Sequence, residues 1–585
     1  MQAKEIQFSI ATERTEEASR HFMPLQNNLW ESLAVAKEGT PMAQLHEKFI
    51  KTSTSVSQVE QDIDHYITLH PDGVYDDVLA ADGRWDVFFH LADMRQALFG
   101  WYDMPKDADV LEIGCGFGAL TGVLADRAAH VAALDESLFR ARACAKRWAK
   151  KENIDVYAGQ LHDIPFSQRF DVITLVDILP RVADGEESLA PYAAYLKSLL
   201  AYLKPQGRLL LAMDNRLGLK FICGAHDPYS DEPFGELSGV SGRGRLFTPA
   251  EVGEILAEAG FIYWKFYYPL PDYRLPQFIF TDDALPNPNI GEMLIPYDPM
   301  PESRILPEAS LYEAFIRNDL FPGMANSFLV ECGMTEDFCQ TESASVACDR
   351  TPAYNIATCR EGELYLKKPV MAAAEQGIQD IAENLETLRQ RGLDVVPWEL
   401  KDGRLFMPRV DAPTLATWLK RRTPKDCDAI LAAMDRLWAG ILQSSPPVPD
   451  ARNCMKKLDP EADWGVILSC AYLNMTPDNI FYRDGKLSFF NQGLSRKNCP
   501  AKYLMFLSVY DNADILSHLG MLDELKDRYG LSSLWGVMEA AQQKNVARFR
   551  RYDVYHRFYD WAAMNPARME KNRRILKIIG NDEDE

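Results

Sequence analysis

Between Asp109 and Asp135 the chain sets two carboxylates and three glycines at spacings that suit a bound nucleoside. Val110, Leu111 and Ile113 make a short apolar run of the kind a buried parallel strand carries, and Glu112 lies inside it. Gly114, Gly116 and Gly118 follow at alternate positions, where a backbone can turn sharply and a ligand can approach the main chain. A helix is expected from about Ala119, with its first amides turned to the same loop. A second apolar run, residues 131–134, ends on Asp135, the place where doubly wound nucleotide sheets hold a ribose diol. Two ligands compete for this pattern. A dinucleotide wants Gly-x-Gly-x-x-Gly, whereas this chain reads Glu-x-Gly-x-Gly-x-Gly. A carboxylate at Glu112 suits the cationic methionine end of S-adenosylmethionine and would repel a pyrophosphate.

The elements that must position these residues follow in order. From Asp109 the strand and helix signals alternate, which predicts parallel strands joined by crossover helices in an α/β, Rossmann-like sheet. Residues 170–177 and 207–213 read as further buried strands, the first ending on Asp177, and residues 187–203 read as an amphipathic helix. The polar, glycine-broken segment 215–226 lies beyond the second of these strands, where such sheets bind ligands, and with Asp177 it is the expected acceptor pocket. Arg216 and His226 belong to it. His90, on a helix just before the first strand, and His226 are the candidate bases. Residues 1–70 read as a helical extension, with Trp30, Leu33, Ala34, Leu45 and Phe49 at helical spacings. The aromatic strand 261–268 has a hairpin partner in 327–332. The proline-rich insertion 271–324 between them reads either as an arm over the acceptor side or as a linker, and 335–350 reads as a linker.

On the motif Glu112 to Gly118, Asp135, the strand ending on Asp177 and the strand at 207–213, the chain resembles class I S-adenosylmethionine-dependent methyltransferases. The resemblance implies that Glu112, Gly114, Cys115 and Gly116 hold the methionine end and Asp135 the ribose, with Gly118 also among the cofactor-binding residues. It also places adenine near Gln160 and Leu161, and sets Asp177 facing the methyl. Asp214-Asn-Arg-Leu-Gly-Leu-Lys, the run Phe-Tyr-Tyr-Pro-Leu-Pro-Asp-Tyr-Arg-Leu-Pro at 266–276, and Ala325-Asn-Ser-Phe-Leu-Val look like bacterial methyltransferases found with surface-polysaccharide assembly enzymes, which carry a kinase-like second half.

Residues 351–560 fit an α+β kinase-like domain on their own pattern. A strand ends in Lys367 and Lys368, a helix carrying Glu383 and Glu386 follows, and Asn474 precedes Asn479 at the spacing kinases use between catalytic Asp and metal-binding Asn. Asn474 stands where that Asp belongs, and Asn491 where a Mg²⁺-binding Asp belongs, so weak or absent phosphate transfer is expected. The tail, 561–585, mixes a basic helix with an acidic end and is a candidate contact for an inner membrane face.

Composition narrows the partners. The net charge of −22 argues against a nucleic-acid binder. The 11 cysteines form no Cys-x-x-Cys pair and no His cluster accompanies them, so no metal site is expected, and they read as reduced cytoplasmic thiols. No apolar run reaches the ~18 residues a membrane span needs. The expected function is methyl transfer from S-adenosylmethionine to a glycan hydroxyl or a sugar phosphate, beside an inactive kinase-like module. The alternatives are a bifunctional kinase and methyltransferase, and a ligand-binding scaffold that organises glycosyltransferases.

Overall fold

The computed structural model describes residues 43–49, 55–238, 243–294, 303–347 and 350–549, together with 570, 571 and 574. From Ala43 onward the chain is one unit whose main sheet has fourteen strands; a three-stranded sheet (Pro447–Val448, Ile467–Tyr472, Ser495–Pro500) and a two-stranded one (Ile480–Arg483, Lys486–Phe489) lie further along the chain. The first six strands are β1 Gln44–Phe49, β2 Asp109–Ile113, β3 His130–Asp135, β4 Ile154–Gly159, β5 Phe170–Val176 and β6 Leu203–Asp214. The remaining eight are β7 Tyr263–Leu270, β8 Phe278–Thr281, β9 Ser327–Gly333, β10 Ser343–Val346, β11 Ile356–Glu361, β12 Leu364–Pro369, β13 Glu399–Lys401 and β14 Arg404–Pro408. Their order across the sheet is β1-β4-β3-β2-β5-β6-β9-β7-β8-β10-β11-β12-β14-β13.

The first six strands pair in parallel. Val110, Leu111, Ala132, Ala133, Ile173 and Leu210 are all buried, as a sheet covered on both faces requires. The crossover helices start on caps the sequence supplies. Ser137 accepts from the Arg140 amide at the head of Leu138–Arg147, and Thr248 forms a capping box with Glu251 at the head of Pro249–Ala259, which Gly260 ends at φ 100°. From β6 onward every neighbouring pair is antiparallel.

The fold departs from the sequence reading in several places. Leu45 and Phe49 lie on strand β1, paired in parallel with β4, and not on a helix; pairing at the sheet edge outweighs the helical spacing. Residues 1–42 lie outside the described residues, and so does nearly all of the tail. The expected linker contains β10, which pairs β8 on one side and β11 on the other. The insertion 271–324 is no simple linker either, because β8 belongs to it and extends the sheet. The crossover helix before β6 is shorter than expected, Ala190–Leu199, because β6 already begins at Leu203.

The C-terminal strands are therefore continuous with the half that carries the glycine loop. Trp101, Tyr267, Cys359 and Leu366 share one core. Arg127 donates to the carbonyls of Gly100, Pro369 and Val370. Lys368, with only 4% of its side chain exposed, bonds Asp103 at 2.7 Å and Glu361 at 2.9 Å, and Arg404 reaches Asp103 at 3.0 Å. Lys368→Ala strips these two carboxylates of their buried cation. Both remain partly hydrated, so the expected cost is about 2 kcal/mol, below that of a fully buried pair. Urea unfolding of the variant checks this through a lower midpoint with an unchanged slope.

Candidate active site

The glycine loop is hitched to the end of β3. The Gly114 and Cys115 amides both donate to the Leu134 carbonyl, at 2.8 and 2.9 Å. The Gly116 amide donates to Asp135 Oδ2 at 2.9 Å and the Ser137 amide to Oδ1 at 2.8 Å, so Asp135 is locked by main chain on both sides. Each oxygen keeps a further lone pair. Gly114, Gly116 and Gly118 all have positive φ, at 82°, 53° and 77°. Their surroundings differ. A Cβ at Gly114 would strike Ile178 at 2.4 Å, and one at Gly118 would strike the Trp148 indole at 2.7 Å. At Gly116 it would meet nothing within 4 Å. Gly118 therefore serves helix packing and does not face a ligand; Trp148 also donates to its carbonyl at 2.8 Å.

The loop opens into a cavity of about 510 Å³. Glu112, Gly114, Cys115, Gly116, Asp135, Asp177, His90 and His226 all line it, so the fold brings together most of the expected site. Four of the expected residues do not line it: Gly118, Gln160, Leu161 and Arg216. Gln160 is exposed at the end of β4, Leu161 packs on the core beside it, and Arg216 faces Glu251 at 4.0 Å.

Burial pushes Glu112 up to about 7, with nearby Asp135 adding to the shift and a 2.6 Å bond from Thr121 opposing it. Asp135 is raised as well, by burial. Arg95, which the sequence did not single out, lines the same end of the cavity with its guanidinium 3.7 Å from the centre of the Phe89 ring. Cys115 is held as a neutral thiol by its bond with Cys144 and by burial.

Asp177 sits at the end of β5 with φ 59°. Its Oδ1 accepts from the Tyr229 hydroxyl at 2.8 Å and its Oδ2 from Arg181 at 2.7 Å. His90 is pushed down to about 3 by burial and by the charges of Arg95, Arg140 and Arg147, which makes it a poor proton acceptor. His226 Nδ1 lies 3.4 Å from Asp231. The cavity wall also holds an ionic knot whose residues come from the two runs 214–220 and 266–276. Lys220 bonds Asp214 at 2.5 Å and Asp272 at 2.8 Å, and Arg274 bonds the same two carboxylates at 2.6 and 3.3 Å.

In the C-terminal half, Asn491 Nδ2 donates to Asn479 Oδ1 at 2.8 Å, and Asn474 Oδ1 accepts from the Leu494 amide at 2.9 Å. The expected pairing of Lys367 or Lys368 with Glu383 or Glu386 is not made. Lys367 bonds Thr358 at 3.0 Å and is pushed down to about 8 by burial. Lys368 is taken by Asp103 and Glu361, Glu386 bonds Arg389, and Glu383 is exposed. The helix thus presents Asn384, which donates to the Gln492 carbonyl at 2.7 Å. Among the described residues no group of three or more His, Cys, Asp or Glu could hold a metal ion, and no helix is long and apolar enough to cross a membrane.

Residues 86–265 match the family described as Methyltransferase domain, which is less than half of the chain. An uncharacterized methyltransferase of Staphylococcus carnosus is 35% identical over 126 residues, 22% of this chain and 55% of that protein. A ubiquinone biosynthesis O-methyltransferase of Coxiella burnetii is 33% identical over 117 residues, 19% of this chain and 45% of that protein. The chain thus spans about half the length of these curated relatives. The solved CcbJ methyltransferase of Streptomyces caelestis, 13% identical, covers 42% of this chain and 94% of its own at a TM-score of 0.26, too low to bear on chemistry.

Residues 86–265 are a methyltransferase domain of the S-adenosylmethionine-dependent kind. S-Adenosylmethionine is its cofactor, and the cavity fits it. Gly116 leaves open the space a Cβ would fill, and two buried carboxylates line the cavity within reach of a cationic group. The Glu112 carboxyl is half neutral near pH 7. A cation bound beside it favours the ionised form, so binding below that pH expels a proton. S-Adenosylmethionine affinity is expected to rise by up to about tenfold per pH unit below 7 and to level off above it. Titration calorimetry in buffers of different ionisation heat measures the proton, and Glu112→Gln should flatten the profile.

Proposed function

We propose that this protein transfers a methyl group from S-adenosylmethionine to an oxygen of a glycan being assembled for a bacterial surface. The observation that carries the transfer is the single cavity running from the Gly114–Gly116 turn to Asp177 and the polar wall beyond. Glu112, Gly114 and Gly116 would hold the methionine end and Asp135 the ribose. The sulfonium supplies an activated methyl, and the chain's own part is to align an oxygen with it and exclude water. Oxygen as the accepting atom is supported by the Coxiella relative, named as an O-methyltransferase. The glycan, as a hydroxyl or a phosphate, and glycosyltransferases as partners rest on the resemblance carried by residues 214–220, 266–276 and 325–330. A place in the cytoplasm, beside the inner membrane face, goes with that setting. Asp135→Ala should weaken S-adenosylmethionine binding tenfold to a hundredfold, by about 1.5–3 kcal/mol for a lost charged hydrogen bond. Surface glycan from cells carrying only that variant, weighed by mass spectrometry, should lack one methyl increment.

The C-terminal half reads as a kinase-like region that does not transfer phosphate. Supporting this, Asn479 and Asn491 meet as a catalytic loop and a metal strand would, while amides replace the acids that would accept a proton and hold Mg²⁺. Incubation with radiolabelled ATP, Mg²⁺ and glycan should leave the acceptor unlabelled. Labelling would favour the bifunctional alternative.

A further inference from the structure

We infer that Asp227 recognises the methyl acceptor, and that the acceptor offers it a neutral hydroxyl and not a phosphate; this rests on the methyltransferase reading above. Asp227 is 2% exposed and lines the cavity. Its Oδ1 accepts from the Tyr229 amide at 2.8 Å, the Ser230 amide at 2.7 Å and the Ser230 hydroxyl at 3.1 Å. Its Oδ2 is buried with no hydrogen-bond partner among the described residues. Three donors fix the carboxylate from one side and leave the other oxygen without one. A buried acceptor is seldom left so, and the group that completes it comes from outside the chain. The placement suits an acceptor: Tyr229, two residues on, donates to Asp177 at 2.8 Å, which couples the Asp227 turn to the end of β5.

The charges around it select the ligand. Four of the cations lining the cavity are already paired with carboxylates. Lys220 and Arg274 share Asp214 and Asp272, Arg181 is paired with Asp177, and Arg304 lies 3.4 Å from Glu308. A phosphate would have to displace carboxylates from those cations and lie against the Asp227 charge. A hydroxyl meets neither obstacle and supplies the donor that Oδ2 lacks. The ligand class is a neutral polyol, such as an unphosphorylated sugar ring.

Saturation-transfer NMR tests this with methyl α-glucoside and glucose 6-phosphate as probes, each in the presence of S-adenosylhomocysteine. The wild-type protein should take up the glucoside in preference to the phosphate. Asp227→Asn keeps the shape and turns the oxygen into a donor; glucoside affinity should fall about tenfold, the equivalent of one charge-assisted hydrogen bond. S-Adenosylmethionine affinity, measured by calorimetry, should stay within about twofold, which shows the variant is folded. Glucoside uptake that is indifferent to Asp227→Asn, absent altogether, or weaker than that of the phosphate overturns the inference while S-adenosylmethionine still binds. A wild-type protein that does not bind S-adenosylmethionine overturns the methyltransferase reading instead.

Discussion

Burial of Glu112 and Asp135 beside each other, at the carboxyl ends of adjacent parallel strands, is the constraint on which the rest of the molecule depends. The strands are in register, with Glu112 opposite Ala133 and Ile113 opposite Leu134. Neither carboxylate makes a salt bridge among the described residues, and burial raises both. Two acids in this state hold a standing demand for a cation and a set of hydroxyls. Hydrogen bonds offset part of the cost of that burial: main-chain amides secure Asp135, and the Thr121 hydroxyl donates to Glu112 at 2.6 Å.

The glycine loop, Glu112 and Asp135 were legible in the sequence because their geometry is local. Positive φ at three alternate glycines and an acid at a strand end leave a mark within thirty residues. What the same glycines touch was not legible. Gly118 reads like its neighbours, yet the Trp148 side chain claims it, and only the packing of the helix Leu138–Arg147 brings that ring near. Of the polar segment after β6, Lys220 and His226 line the cavity, whereas Arg216 faces Glu251. Asp272 and Arg274 lie in the run 266–276, but spacing alone did not pair them with Asp214 and Lys220. Asp227 stood inside a segment already marked as polar, but its unpartnered oxygen belongs to a turn closed by Tyr229 and Ser230.

In the C-terminal half, Asn479 and Asn491, picked out in the sequence by their spacing, share a 2.8 Å side-chain hydrogen bond. The lysine and glutamate pair does not form, because both lysines are taken by other partners while Glu386 bonds Arg389 and Glu383 is exposed. Lys368 turns towards Asp103 in the other half of the molecule, and Lys367 towards Thr358.

The strand Ser343–Val346 has a consequence for anyone who would divide this chain. It is the stitch between β8 and β11, and it lies where the sequence looks most severable. A fragment ending before it would leave β8, which reads Phe-Ile-Phe-Thr, with a raw row of amides and carbonyls facing water. A fragment starting after it would leave β11 equally bare. Two such edges are adhesive, to each other and to any extended peptide nearby. What looks like a boundary between modules is a doubly paired strand, and the two halves share one continuous sheet.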